Sequence, residues 1–403
     1  MAARQPTAER RCFMYRRSGT ISGLLAVTLL IPVAGRADAA PAAVPTVTRG
    51  HGADRAALQR ALDAVVTEGV PGAIAEVRDE SGVWRGASGV ADLADGRRAR
   101  AADRFRAGSV TKTFVATVVL QLVAQGEVGL DDAIGNYLPG LVPDGTDDSH
   151  VTVRQLLDHT SGLPNYTDVL RKRPDPIRAL QYSTYTPHEL VGIAVKEPRP
   201  FNPGKSWAYS NTNYVVLGLL IERVTGNTLG HEITRRIVRP LQLNGTSVPT
   251  SPHLSGPHLK GYERLDGATA TPTDLTDFSA TAFWGPGNMI STTSDLNRFY
   301  SALTGGKLLA PHLLREMRDM KPTDRAGRSY GLGLEANANF CGERERPAWG
   351  HSGSVPGYNT FGFTSSDGKR QITLSMNTDL TKTEKADAAA VRVLSSALCS
   401  KNS

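Results

Sequence analysis

The sequence is poor in cysteine and lacks a common metal-binding motif. It contains 3 cysteines in 403 residues. No His-Glu-x-x-His motif occurs and the 9 histidines are scattered, so we expect no catalytic metal and no cofactor. Cys12 belongs to the N-terminal segment, which leaves Cys341 and Cys399 as an even pair. In an exported chain such a pair favours a structural disulfide, and two buried free thiols are the alternative.

Long apolar runs are missing after the first forty residues. Residues 1–39 have the pattern of an export signal, in which the arginine pairs 10–11 and 16–17 precede an apolar stretch at 21–34 and an Ala-x-Ala cleavage site at 37–39. The stretch is too short to span a bilayer comfortably, so a cleaved signal is favoured over an uncleaved anchor. The pair Arg16-Arg17 leaves the twin-arginine and general export routes both open. We therefore expect a secreted, extracellular protein with no stable membrane insertion after signal removal.

The chain after residue 39 also lacks a large excess of positive or negative charge. The whole sequence has 46 Lys and Arg against 39 Asp and Glu, which gives a net charge of +7. Residues 1–39 contain six of the former and two of the latter, so the rest has 40 against 37, a net charge of +3. Most of the basicity belongs to the signal segment and gives no support to a nucleic-acid partner.

The order of secondary-structure patterns predicts an α/β plus all-α architecture. Strand patterns at 72–77, 83–90, 360–365 and 371–376 lie near the two ends of the chain, and helical patterns fill the middle. This order predicts one antiparallel sheet completed by both ends, flanked by N- and C-terminal helices, with a helical lobe inserted. About 360 mature residues also exceed what one compact core usually holds. We assign 40–52 to a flexible leader, 53–105 and 285–403 to a sheet domain, and 106–284 to a mainly helical domain.

The segment 106–126 is apolar, yet it begins Arg-Ala-Gly-Ser and carries a lysine one turn after the serine. A helix that starts at Ser109 would place Lys112 on the same face and direct its positive dipole end at the serine. A lysine in apolar surroundings has a lowered pKa, so Lys112 could accept the proton of the Ser109 hydroxyl. A capping serine with a snorkelling lysine is the alternative. Ser366 and Lys369 repeat the spacing, but they lie on a predicted hairpin turn.

Two further motifs support Ser109 as a nucleophile. Tyr209-Ser-Asn211 is the only Tyr-x-Asn in the chain and precedes an apolar helical stretch. A phenol near a lysine can serve as a base or proton relay, and an asparagine amide can hold a lysine or a substrate carbonyl. The second motif, His351-Ser-Gly-Ser354, precedes strand-like sequence, where glycine allows close backbone approach and the flanking side chains supply polar groups. Alone, each motif is also compatible with an ordinary loop or turn.

In this order the three motifs resemble the signature of the penicillin-recognising serine hydrolases, with histidine in place of the usual lysine in the third motif. The set is most similar to extracellular D-alanyl-D-alanine carboxypeptidases of actinomycetes, within the superfamily of class C β-lactamases and related esterases. Stretches at 151–162, 209–218, 287–296 and 330–334 strengthen the resemblance. It implies the β-lactamase/DD-peptidase fold and a carboxypeptidase that removes a terminal D-Ala from peptidoglycan-type stem peptides through an acyl-enzyme and is acylated by β-lactams.

The resemblance also implies residue roles. Ser109 would attack the peptide carbonyl, Lys112 and Tyr209 would move the proton, and the backbone N–H groups of Ser109 and Ser354 would form an oxyanion hole. His351 would help to move the proton or orient Tyr209. The hydroxyls of Ser352 and Ser354 would meet the substrate's terminal carboxylate. The implied catalytic residues are Ser109, Lys112, Tyr209 and His351, and the implied substrate-binding residues are Asn211, Ser352, Gly353 and Ser354.

Departures from the family pattern and competing functions are visible in the sequence. An arginine is expected near the end of the 330–334 stretch to attract a substrate carboxylate, but Glu335 stands there, with Arg328 close by in sequence.

A class C-like β-lactamase or esterase on the same fold is the alternative, and a non-turnover penicillin- or muropeptide-binding protein is a third candidate. The stretch 204–206 lacks an earlier glycine that a phosphate-binding loop requires, and no Gly-x-Ser-x-Gly elbow occurs. We interpret His159 as structural.

Overall fold

A computed structural model of the chain describes residues 53–145, 150–342 and 346–399. The expected signal at 1–39 and the expected leader at 40–52 lie outside the described residues. The helices are α1 Arg55–Thr67, α2 Thr111–Ala124, α3 Val153–Leu157, α4 Tyr166–Arg171, α5 Pro176–Gln181, α6 Pro187–Ala194, α7 Asn211–Thr225, α8 Leu229–Ile233, α9 Thr293–Thr304, α10 Pro311–Met317 and α11 Glu384–Leu398. Short 3-10 turns lie at Gly108–Val110, Ile134–Asn136 and Thr281–Phe283, and a π turn at Thr234–Val238.

The strands form one large antiparallel sheet and two small ones. They are β1 Gly72–Asp79, β2 Gly82–Gly89, β3 Phe105–Arg106, β4 Tyr262–Glu263, β5 Thr273–Asp274, β6 Ile290–Ser291, β7 Lys321–Pro322, β8 Arg328–Tyr330, β9 Glu335–Asn337, β10 Ala348–Val355, β11 Tyr358–Thr364 and β12 Gln371–Met376. The order in the large sheet is β2-β1-β12-β11-β10-β9-β8-β7. Ala73 of β1 lies opposite Met376 of β12, so strands from both ends of the chain pair directly in one sheet. This confirms the predicted architecture.

One face of the sheet is covered by the first and last helices. Helix α1 begins after Asp54, whose side chain accepts hydrogen bonds from the N–H groups of Ala56 and Ala57, as its position before an amphipathic repeat predicts. Helix α1 then buries Leu58 and Leu62 in an apolar cluster with β1, β12 and α11. Each such leucine contributes about 1.5–3 kcal/mol of transfer free energy. The terminal helices are thereby fixed to the sheet, as expected.

Helix α2 lies in the larger apolar cluster on the other side and has no solvent-facing side over most of its length. Every residue from Thr111 to Leu120 is buried. A helix that is apolar all round is stable only inside a core, and here α7 and α8 pack against α2. The unusual apolarity of this segment is therefore explained by its central position. The division of the chain into a sheet domain and a helical domain at the expected boundaries stays a prediction.

A disulfide joins Cys341 to Cys399 and so ties the segment after β9 to the end of α11. This confirms the pairing expected from the cysteine count. The Cys399 N–H also donates to Ser395 O, and Ser395 Oγ donates to Phe340 O beside the other cysteine. Within the described residues, no helix is long and apolar enough to cross a membrane.

Candidate active site

Ser109 lies on the short 3-10 turn Gly108–Val110, immediately before α2. The expectation that the α-helix itself starts at Ser109 is wrong by two residues, because the backbone tightens into this turn first. Gly108 adopts a φ of +55°, and a Cβ there would lie 2.8 Å from Ser354 N. Thr111 Oγ1 donates to Gly108 O at 2.7 Å and fixes the turn. The turn therefore presents Ser109 at the edge of β10, as a left-handed glycine permits.

Gly353 of β10 is packed against the same turn. A Cβ at Gly353 would lie 2.0 Å from Ala107 O and 3.2 Å from Ser109 N. Only a glycine therefore allows β10 to approach this closely. The close approach brings the backbone nitrogens of Ser109 and Ser354 to the same small region, where two N–H groups can stabilise one oxyanion.

Lys112 is fully buried and reaches back to Ser109. Its Nζ lies 2.9 Å from Ser109 Oγ, 2.8 Å from Asn211 Oδ1 and 3.1 Å from Pro286 O. Burial holds the pKa of the Lys112 amine well below its ordinary value of 10.5, and the nearby Glu335 carboxylate offsets this effect in part. A neutral amine has two N–H groups for the two carbonyl oxygens and one lone pair for the serine hydroxyl. Lys112 is thus arranged to act as a base toward Ser109.

Tyr209 is the second side chain that contacts the serine. Its hydroxyl donates to Ser109 Oγ at 2.8 Å, and Lys112 Nζ lies 4.8 Å from the centre of its ring. Burial raises the pKa of the Tyr209 phenol, the hydrogen bond to Ser109 lowers it, and Glu335 raises it further. The phenol therefore keeps its proton at neutral pH. Of the two roles that the sequence leaves open, proton relay suits this environment better than base.

Asn211 holds the lysine. Its Oδ1 accepts from Lys112 Nζ, and its Nδ2 donates to Thr167 Oγ1 at 3.1 Å. The Asn211 N–H donates to Asn165 Oδ1 at 3.1 Å, which anchors the start of α7 to the segment before α4. Of the two partners considered for this amide, the structure places the lysine at its oxygen. Asn211 also lines the cavity in front of Ser109, where a substrate can reach it.

His351 lies on β10 and is buried beside the cavity, but its hydrogen bonds do not go to Tyr209. Its Nε2 lies 2.8 Å from the Tyr330 hydroxyl and its Nδ1 lies 2.5 Å from Ser352 O. Burial lowers the pKa of the imidazole, Glu335 raises it and Lys112 lowers it. A neutral ring that donates from Nδ1 and accepts at Nε2 satisfies both contacts. The structure thus links His351 to Tyr330, which sequence analysis missed.

The hydroxyls of Ser352 and Ser354 both donate to carboxylates. Ser352 Oγ lies 3.1 and 3.2 Å from the two oxygens of Glu335, and its N–H donates to the same group at 3.2 Å. Ser354 Oγ donates to Asp379, which also forms an ion pair with Lys382 at 2.9 Å. The motif alone gives no sign of Asp379, because that residue follows β12, far along the chain. Negative charge therefore lies where a substrate carboxylate was expected.

A cavity of about 270 Å³ opens in front of Ser109. Its lining includes all the expected site residues except Lys112, which lies behind Ser109, and Gly353, which faces the Ser109 turn. Arg328 also lines the cavity, so the side chain that sequence placed near Glu335 does reach the site, as does Arg325. The lining is Ser109, Asn165, Arg171, Trp207, Tyr209, Asn211, Thr323, Asp324, Arg325, Arg328, Ser329, Tyr330, Glu335, His351, Ser352 and Ser354.

His159 supports the site from behind. Its ring centre lies 4.4 Å from that of Tyr209 and 4.7 Å from that of Tyr330. Nδ1 lies 3.0 Å from Asn213 Nδ2 and 3.3 Å from the Ser210 nitrogen, so it is an acceptor. Burial holds the pKa of His159 well below its ordinary value. A neutral ring packed against the phenol agrees with a structural role, and it adds a contact that positions Tyr209.

The chain is similar to several known proteins. The profile of the family described as Beta-lactamase matches residues 57–396. The chain is 28% identical to "Penicillin-binding protein 4*" of Bacillus subtilis over 68% of this chain and 60% of that protein. It is 35% identical to "Esterase EstB" of Burkholderia gladioli over 47% of this chain and 51% of that protein. The match therefore spans only about half to three fifths of these relatives' lengths.

A solved structure covers more of the fold. A D-stereospecific amidohydrolase from a Streptomyces species superposes with a TM-score of 0.75 and is 38% identical, over 83% of this chain and 98% of that one. The likeness thus extends over nearly the whole of that enzyme.

Proposed function

Because the chain belongs to the β-lactamase family of serine hydrolases, we propose that Ser109 is its nucleophile and that it cleaves an amide bond of a D-amino acid substrate through an acyl-enzyme. The observation that carries this proposal is the contact of Ser109 Oγ with Lys112 Nζ at 2.9 Å and with the Tyr209 hydroxyl at 2.8 Å. An activated nucleophile requires such a base within hydrogen-bond reach.

The contacts suggest how the steps proceed. Lys112 accepts the Ser109 proton while Oγ attacks the carbonyl carbon, and the N–H groups of Ser109 and Ser354 stabilise the oxyanion. The carbon–nitrogen bond breaks as Tyr209 donates its proton to the leaving amine, and Lys112 then returns a proton to Tyr209. Water then attacks the ester, one proton returns to Ser109 Oγ, and the acid product departs. Asn211 keeps Lys112 in place throughout.

The substrate class follows from the charges beside Ser109. Both hydroxyls that would hold a terminal carboxylate already donate to carboxylates, Ser352 to Glu335 and Ser354 to Asp379. A substrate carboxylate there would meet like charge, which is unfavourable. The likeness to the Streptomyces D-stereospecific amidohydrolase supports the same direction. We therefore favour amides of D-amino acids over peptides with a free C-terminal carboxylate.

D-Ala-D-Ala carboxypeptidase activity is the second candidate. Arg325 and Arg328 line the same cavity and could bind a carboxylate there, and the likeness to a penicillin-binding protein supports acylation by β-lactams. The likeness to esterase EstB supports a third candidate, an esterase or class C-like β-lactamase on the same fold. A β-lactamase hydrolyses its penicilloyl ester quickly, whereas a carboxypeptidase stays blocked by it. A penicillin- or muropeptide-binding protein without turnover is the least favoured, because the Lys112 and Tyr209 apparatus is complete.

We also propose that the protein acts outside the cell. The export pattern at 1–39 supports this, and so does the Cys341–Cys399 disulfide, since such bonds persist in oxidising compartments.

The experiment that tests the proposal compares products from matched substrates. D-alanine amide, L-alanine amide, a diacyl-D-Ala-D-Ala peptide and a p-nitrophenyl ester are each incubated with the enzyme and with Ser109→Ala. Turnover of D-alanine amide that exceeds that of the L-isomer and vanishes in the variant supports the amidohydrolase. D-alanine release from the peptide alone indicates the carboxypeptidase, and ester turnover alone indicates an esterase.

A further inference from the structure

We infer that Glu335, held by Ser352, binds a protonated amino group of the substrate, so that the enzyme selects D-amino acid derivatives whose amine is free. This inference rests on the proposed acyl-enzyme function and adds the group that the pocket recognises beside the reacting carbonyl.

The position of Glu335 is fixed by the sheet. It lies at the start of β9, opposite Gly350 of β10 and Tyr330 of β8. From there its carboxylate reaches Ser352, which donates to it from both its N–H and its Oγ. Ser352 and Ser354 are two residues apart on β10, about 7 Å along the strand, and share one face. Glu335 therefore contacts β10 two residues before the proposed oxyanion donor Ser354, and an amine beside the reacting carbonyl would approach it from there.

The hydrogen bonds from Ser352 also leave Glu335 able to accept more. A carboxylate has about four lone-pair sites on its two oxygens. Among the described residues, no lysine, arginine or histidine forms an ion pair with Glu335, whereas Asp379 is paired with Lys382. Glu335 is also part of the cavity lining, so a ligand can reach it. Of the two carboxylates beside β10, Glu335 is thus the one arranged for a cationic partner.

The negative charge of Glu335 also acts on the side chains around Ser109. Its carboxylate influences the ionisation of Lys112, Tyr209 and His351. An ammonium bound at Glu335 would offset that negative charge and so favour the neutral form of Lys112, which is the active base. Binding of the correct substrate would thereby also assist the proton transfer from Ser109.

Two arginines, Arg325 and Arg328, line the same cavity but come from other parts of the chain. Arg328 belongs to β8 and Arg325 to the segment before it, whereas Glu335 is on β9, next to β10. Ser352 of β10 hydrogen-bonds to Glu335, and within the described part of the chain it forms no hydrogen bond with either arginine. The arrangement fits a substrate amine at Glu335, with the rest of the substrate extending toward the arginines.

The test measures selectivity between two amides that differ only in the amine. Values of kcat/KM are determined for D-alanine amide and for N-acetyl-D-alanine amide at a pH near 7, where the free amine is protonated, with wild type, Glu335→Gln and Glu335→Asp. Glu127→Gln, an exposed glutamate outside the cavity, is the matched control. We expect wild type to favour the free amine, and Glu335→Gln to reduce that preference roughly 10- to 100-fold, as for the loss of a charged hydrogen bond. Glu335→Asp should retain part of it.

Acylation of Ser109 by a fluorescent penicillin separates the possible failures. The penicillin has a carboxylate, and its reaction with Ser109 does not depend on an amine bound at Glu335. Glu335→Gln should therefore be acylated at least as fast as wild type. If the variant labels but keeps the wild-type preference for the free amine, or if wild type hydrolyses both amides equally, the amine site is wrong while the nucleophile assignment stands. If wild type neither labels nor hydrolyses any amide, the proposed function itself fails.

Discussion

Lys112 Nζ lies 2.9 Å from Ser109 Oγ although the lysine side chain is fully buried. Burial of an ammonium is costly, so the neutral amine is favoured there. Asn211 Oδ1 and Pro286 O accept its two N–H groups, which leaves the lone pair for the serine proton. This single relationship connects the apolar sequence of α2 to the proposed chemistry, since the helix that buries the lysine is also what lowers its pKa.

The rate of acylation should therefore depend on the ionisation of Lys112. The amine acts as a base only when neutral, so the second-order rate of acylation by a fluorescent penicillin should rise with pH and reach a plateau above the lowered pKa, well before 10.5. Lys112→Ala should reduce the rate about 100- to 10,000-fold, while the exposed Lys385→Ala should not change it. A rate that still rises toward pH 10.5 would show that a normal lysine, or another base, controls the step.

Tyr209→Phe tests the proton relay. The variant loses only the hydroxyl that donates to Ser109 at 2.8 Å, so we expect about a 100-fold or larger loss of kcat with D-alanine amide and an unchanged fold by circular dichroism. Tyr182→Phe, at a tyrosine that is 74% exposed, is the matched control. Equal activity of the two variants would contradict the role given to Tyr209.

Gly353→Ala tests the close approach on which the proposed oxyanion hole depends. The new Cβ would lie 2.0 Å from Ala107 O, so β10 must move away from the Ser109 turn. We expect roughly a 100- to 1,000-fold loss of kcat, as for the loss of an oxyanion donor. Gly192→Ala in α6 introduces the same methyl group where nothing lies within 4 Å, and it should keep full activity. Full activity of Gly353→Ala would mean that this approach is not needed.

The disulfide should matter for stability and not for chemistry. It closes a loop with a sequence separation of 58 residues, for which chain entropy gives about 4 kcal/mol of unfolding free energy. Cys341→Ser combined with Cys399→Ser should lower the free energy of unfolding by up to that amount in guanidinium titrations, with kcat near the wild-type value at 25 °C. A double variant as stable as wild type would show that α11 is held by packing alone.

Much of the site is predictable because its local signals are strong. Ser109 and Lys112 are one helical turn apart in a segment too apolar for any surface helix, and Gly353 stands between two serines in a motif that the structure places within β10. The strands near the two ends of the chain are similarly evident, and the hairpin of β11 and β12 confirms the turn predicted around Ser366 and Lys369.

Other features depend on long-range contacts that no local pattern records. Asp379 reaches Ser354 from the segment after β12, and Tyr330 meets His351 across β8, β9 and β10. Glu335 was visible as a departure, yet only the pairing of β9 with β10 shows that it contacts Ser352. The beginning of α2 at Thr111 instead of Ser109 reflects the close approach of β10, which tertiary packing imposes on the turn.

The most direct test of the nucleophile is intact-protein mass spectrometry after mixing with benzylpenicillin, followed over time for wild type, Ser109→Ala and Ser366→Ala. Ser366 is the serine of the second Ser-x-x-Lys and lies on an exposed turn. Ser366→Ala therefore tests whether the four-residue motif reacts with penicillin when it is not part of a buried helix. The account predicts one adduct of the mass of the penicillin on wild type and on Ser366→Ala, and none on Ser109→Ala. An adduct that persists on Ser109→Ala, located by peptide mapping to another residue, would contradict it.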